Sequence, residues 1–149
     1  MRRRAPVLPI IVATAGFVAL LATPPASASP AQDYMLYCMG CHGADARGVP
    51  GKVPPLAGSL ALFMRTPTGR DYVLRVPGAA NSALSDVQLC AVLNWLAERY
   101  GAPGSDLPAA FTTAEVAASR HVPLASVQAA RREVVRQLAA TGRAPPADY

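Results

Sequence analysis

Two thiols three residues apart, followed at once by an imidazole, form the most reactive string in the chain: Cys38-Met39-Gly40-Cys41-His42. At that spacing both sulfurs reach the two vinyl groups on one edge of a haem, and the adjacent histidine falls beneath the iron. Imidazole is a strong ligand for that metal, and two thioethers prevent loss of the cofactor outside the cytoplasm. A Cys-x-x-Cys pair also serves thioredoxin-like redox chemistry or half of a zinc site. Both alternatives lack their usual companions, because no βαβ pattern surrounds the motif and no second cysteine pair exists. Cys90, the third cysteine, falls on the apolar side of a helical pattern and reads as a small buried hydrophobe.

The elements that must position this string are helices and Gly/Pro-rich loops. A short helix over residues 31–37, opened by Pro30, delivers the chain into Cys38. Residues 43–58 carry Gly43, Gly48, Pro50, Gly51, Pro54, Pro55 and Gly58, which forbids long regular structure and predicts an ordered loop. Residues 59–65 read as a short helix ending ahead of Pro67, and residues 66–84 as a second loop. Ser85 is a good N-cap, after which Val87, Leu89, Cys90, Leu93, Leu96 and Tyr100 recur at helical spacing until Gly101. Residues 101–111, with Pro103, Gly104 and Pro108, read as a surface linker. Thr113 then caps a short helix through Arg120. Pro123 opens a longer one, whose apolar stripe of Val127, Ala130, Val134 and Leu138 is expected opposite Arg131, Arg132, Glu133 and Arg136.

The first 28 of the 149 residues have the pattern of a signal peptide: three arginines, an apolar run over residues 7–22, and Ala26-Ser27-Ala28 as a cleavage site. Cleavage after Ala28 and a periplasmic location are the expectation. A retained N-terminal anchor is the alternative, and Arg3-Arg4 raises a twin-arginine route. The run is short and broken by Pro9, and the mature chain has no membrane-spanning segment. Without residues 1–28, 11 basic groups face 9 acidic ones, so nucleic acid is not implied as a partner. About 120 residues then remain, enough for one domain if a haem supplies much of the apolar interior.

Residues 31–101 resemble the monohaem class I cytochromes c. The resemblance rests on Cys38-Met39-Gly40-Cys41-His42-Gly43, on Pro54-Pro55-Leu56-Ala57-Gly58, and on Leu84-Ser85-Asp86 opening a helix that ends near Tyr100. It implies an all-α fold, a small cytochrome c domain over residues 29–101 wrapped round one covalent haem c. The first helix is then expected to cross the last family helix, with Tyr34 near Leu93, Leu96 and Tyr100. The resemblance also implies that the Pro54 carbonyl accepts the other ring proton of His42, fixing its tautomer and strengthening it as an iron donor. Arg65, Arg70 and Arg75 lie in the segment that approaches the haem, and a guanidinium fork matches a propionate. Tyr72 is a further hydroxyl donor, and Trp95 reads as packing. Residues 102–149 fall outside the resemblance and are expected as two extra helices packing on the domain, or against a partner.

Class I cytochromes carry a methionine a few residues before the final helix, where this chain has Gly78-Ala79-Ala80-Asn81-Ser82-Ala83-Leu84. The candidates for sixth iron ligand are therefore Asn81 and Met64, with His121 or no protein ligand as further options. Asn81 also reads as a left-handed turn residue, and Met64 as core. An Asn-Ser pair ahead of the last helix is similar to a small group of oxygen-binding haem c proteins. Two functions follow as expectations. One is a single-electron carrier, not itself an enzyme, between redox partners such as a dehydrogenase or membrane complex and an acceptor. The other is a haem that binds or senses oxygen, NO or CO. Peroxidase-like catalysis lacks a distal acid-base pair.

Overall fold

The computed structural model describes residues 28–102, 104, 106–143 and 145; the expected signal peptide, Ala28 apart, lies outside them. Regular structure among the described residues is all helical, save an isolated antiparallel bridge between Val49 and Val53. Helix α1 (Pro30–Tyr37) starts from Ser29, whose hydroxyl caps Gln32 while Gln32 caps Ser29 in return. A single turn, α2 (Met39–His42), carries the second cysteine and the histidine. Helix α3 (Leu60–Phe63) follows the Gly/Pro-rich loop.

Residues 66–84 are not a loop. They hold α4 (Pro67–Arg75) and the single turn α5 (Pro77–Ala80), with only residues 81–84 left as the irregular lead into α6. Pro67 sits in the first turn, where its missing N–H costs nothing, and Thr66 caps Gly69. Gly69 is required by packing, since a Cβ there would collide with the Phe63 carbonyl oxygen where α3 meets α4. Helix α6 (Asp86–Tyr100) is capped by Ser85 and Gln88 and crosses α1, with Tyr34 against Trp95 and Tyr100 at ring distances of 5.7 and 6.4 Å.

The linker after Gly101 is fastened to the body. Asn94 pairs with both backbone groups of Phe111, at 2.8 and 3.0 Å, and the Cys90 thiol donates to the same carbonyl at 3.1 Å. Thr112, rather than Thr113, caps the next helix, α7 (Thr113–Ser119), through a box with Glu115. Helix α8 (Val127–Ala140) begins four residues after Pro123, from Ser126. The last two helices pack on α3, α4 and α6, burying Val116, Val134 and Leu138. Each of those three side chains is worth about 1.5–3 kcal/mol relative to leaving it in water.

Candidate functional site

A cavity of about 310 Å³ lies between α2, the loop at residues 52–56, and helices α3 to α6 and α8. Its volume is in the range of cofactor pockets. Leu60, Val73, Leu89, Val92 and Leu93 make much of its wall, and Cys38, Cys41 and His42 open into it from one side. The cysteines form no disulfide. Burial pushes the Cys38 thiol up from its ordinary value, and the nearby Asp33 and Cys41 act in the same direction. Asp33 itself is buried on α1 and accepts from the Gln88 amide at 3.3 and 3.4 Å.

His42 is held by its loop. Its Nδ1 stands 3.1 Å from the Pro54 carbonyl oxygen, a contact that fixes Nδ1 as the protonated nitrogen and leaves the Nε2 lone pair for a metal. Burial lowers the His42 pKa, partly offset by that bond, so the ring is held neutral, the form that ligates. The loop is tied down on every side. Gly48 N–H donates to the His42 carbonyl at 2.8 Å, the Tyr34 hydroxyl to Gly43 at 2.6 Å, and the Tyr100 hydroxyl to Ala44 at 2.9 Å. Gly48 is needed for this course: its φ is +69°, and a Cβ would strike the Val53 carbonyl.

The residues present suit a flat apolar group with anionic substituents. Ser59 lines the cavity, and its Oγ is buried with no hydrogen-bond partner, an expensive arrangement for a hydroxyl. Lys52 and Arg131 are the cations lining the cavity among the described residues. Covalent haem is the group that the two thiols, the oriented imidazole and this lining fit together.

The structure thus brings Cys38, Cys41, His42, Pro54 and Tyr72 to one cavity and leaves the other expected residues outside it. Met64, at the end of α3, is buried in the core, and its neighbour Phe63 takes the cavity wall instead. Asn81 is exposed and lines a separate shallow cleft with Asp86, Arg120 and His121. Its φ of −98° also removes it from the left-handed region. His121 is exposed in that same cleft, outside the cavity.

The three arginines expected at a propionate turn the other way, toward the C-terminal segment. Arg65 donates to the Asp106 carbonyl. Arg70 pairs with Glu115 at 2.8 Å and donates to the carbonyls of Ala109 and Ala110. Arg75 pairs with Asp71 and donates to Val122 and Pro123. A guanidinium fork suits any carbonyl array, so its type alone does not say which array it meets.

Sequence reasoning missed two site residues, Ser59 and Arg131. Arg131 does not lie opposite the apolar stripe of α8: it stands four residues after Val127 and three before Val134, on the inward face. That spacing was the available signal.

No protein-family model matches the chain. It is 33% identical over 82 residues to cytochrome c-552 of Thermus thermophilus, covering 43% of this chain and 63% of that protein. A cytochrome c-552 from a named strain of the same organism is 33% identical over 82 residues, covering 55% of its length. The chain thus spans less than two thirds of either relative. The likeness supports a c-type cytochrome, and the all-helical fold is consistent with one.

Proposed function

We propose that this chain is a periplasmic single-electron carrier, exported by a signal peptide cleaved after Ala28. It holds one haem c through thioethers on Cys38 and Cys41, with His42 as axial ligand. The observation that carries this reading is the His42 Nδ1 contact with Pro54 beside two unpaired cysteines that open into one largely apolar cavity. Likeness to proteins named cytochrome c-552 supports the same reading.

When bound, the haem supplies one-electron chemistry at its iron. The chain's residues supply the rest. Cys38 and Cys41 would hold the ring beside α1 and α2 through two thioethers. The Pro54 carbonyl holds the His42 ring in one tautomer and one orientation, so oxidation and reduction need little rearrangement. The aliphatic walls exclude water and disfavour the extra positive charge of the oxidised state, which raises the reduction potential. Partners are other redox proteins, a dehydrogenase or membrane complex on one side and an acceptor on the other. No described helix is long and apolar enough to cross a membrane.

The test is expression of the full chain beside a c-type maturation system. The expected product is red, gains the mass of one haem, and titrates as a one-electron couple. Cys38→Ser with Cys41→Ser loses the mass gain. A colourless product without added mass overturns the reading.

A second reading has an observation of its own. Among the described residues no methionine lines the cavity, and Asn81 lines a separate cleft, which would leave a sixth iron position open to a small ligand. A haem there would bind small gases such as oxygen, NO or CO. Adding CO to the reduced protein at neutral pH distinguishes the two: a fast, complete spectral shift favours gas binding, and an unchanged spectrum favours a closed electron carrier.

A further inference from the structure

We infer that α8 is part of the haem site, with Arg131 as the cation that holds a haem propionate and Ser59 as its hydroxyl partner. This rests on the covalent haem proposed above.

A haem placed in the cavity brings two carboxylates into a largely aliphatic enclosure. An ionised carboxylate there is costly unless a cation or strong donor meets it. Arg65, Arg70 and Arg75 do not line the cavity. Lys52 is exposed on its loop, where water competes for its charge. Arg131 is half-buried and lines the cavity, its guanidinium 5.6 Å above the Phe63 ring.

Arg131 occupies a position where the helical pattern calls for an apolar residue, between Val127 and Val134 on the inward face. Val134 and Leu138 are fully buried, so the next two turns of α8 hold this guanidinium in place. Ser59 lines the same cavity. It stands one turn before Phe63, whose N–H bonds to its carbonyl at 3.0 Å, and its buried Oγ lacks an acceptor. A carboxylate between the two would take a charged bond from Arg131 and an O–H from Ser59.

The experiment measures the midpoint potential of the haem-loaded full chain from pH 5 to pH 9 for wild type, Arg131→Gln, Arg131→Lys, Ser59→Ala and Arg132→Gln. Loss of the Arg131 charge favours the ferric state, so the Arg131→Gln potential falls. It also lets the propionate protonate at higher pH, so that potential declines with rising pH across neutrality where the wild type is flat. Arg131→Lys lies between them, and Ser59→Ala shifts the same way by less. Arg132, exposed on the outer face of α8, is the control, and Arg132→Gln superimposes on wild type. A haem-loaded Arg131→Gln that superimposes on wild type at every pH overturns the inference. If that variant does not fold, Ser59→Ala decides in the same way. A wild-type chain with no covalent haem gives no potential at all and removes the premise, an outcome distinct from either.

Discussion

Replacing Arg120 by methionine probes how firmly one guanidinium holds the segment before α6. Arg120 ends α7 with its side chain 4% exposed. Nη1 donates to the Leu84 carbonyl at 2.8 Å and to Asp86 Oδ1 at 2.9 Å, and Nη2 donates to the Ser82 carbonyl at 3.0 Å. Weaker contacts at 3.4 Å reach the Ala80 carbonyl and Ser82 Oγ. Methionine keeps the length and apolar stem but offers no donor. A hydrogen bond from a charged donor contributes about 1.5–3 kcal/mol net, and breaking a buried ion pair costs about 3–5 kcal/mol. The two figures overlap because one group makes both contacts. Asp86 is also 33% exposed, so water recovers part of the loss. Arg120 Nε is buried without a partner, a cost that methionine removes. The net expectation is a loss of about 3 kcal/mol.

At a urea dependence of about 2 kcal/mol per molar, that loss lowers the unfolding midpoint by about 1.5 M. Circular dichroism of the purified full chain in urea reads it directly. Arg136→Met is the comparison, because Arg136 is 77% exposed and its ion pair with Glu133 is worth at most about 0.5 kcal/mol. An Arg120→Met midpoint within about 0.3 M of wild type, or no lower than that of Arg136→Met, would refute the claim that these carbonyls depend on the guanidinium.

Two further outcomes follow from the packing. Gly69→Ala gains about 1 kcal/mol of helix propensity in α4 but drives a Cβ into the Phe63 carbonyl, and overpacking of this kind costs about 1–3 kcal/mol. A lowered melting temperature is therefore expected, and a raised one would show that α3 and α4 separate freely. Tyr34→Phe loses the bond to Gly43 and about 1 kcal/mol at pH 8. Burial pushes the Tyr34 phenol up to about 12 from 10, so the folded chain keeps its proton where the unfolded chain has released it. Wild-type stability from this group is therefore whole below pH 10 and is lost as pH rises toward about 12. The gap between the two proteins in urea narrows over that window; a constant gap contradicts the assignment.

The sequence was legible where local chemistry and tertiary structure agree. Ser85 begins α6 as the N-cap its type predicts and Gly101 ends that helix where the apolar spacing stops, whereas the Ser29 cap, one residue before Pro30, was not read. The proximal half of the candidate site was equally open to reading, because Cys38, Cys41, His42 and Pro54 lie within one short stretch of chain. Residues 66–84 were misread because Pro67 and Gly69 are breakers in most contexts. Here the first opens a helix, and the second lets that helix lie against a carbonyl. Which group an arginine meets is a long-range fact: Arg70 and its Glu115 partner are 45 residues apart. Arg131 was visible in the spacing of α8 but was assigned by charge to the outside, where long side chains with buried stems are often misplaced.

The seam between the body and the last two helices is built from guanidiniums pointing in both directions. Arg65, Arg70 and Arg75 reach outward to backbone oxygens of residues 106–123, and Arg120 reaches inward to Ser82 and Leu84. The inward contact falls on the stretch where class I cytochromes carry the methionine ligand. With a methionine there, the iron–sulfur bond tethers that stretch to the haem. Here Ala79, Ser82 and their neighbours are tethered by Arg120 and by the Ser82 hydroxyl donating to Ala79 at 2.9 Å. Support that an iron ligand would give the segment is thus supplied by hydrogen bonds within the chain. A C-terminal extension that fixes the segment in this way removes the structural need for a methionine and, on the haem reading proposed above, would leave the iron's sixth position to whatever enters the cavity.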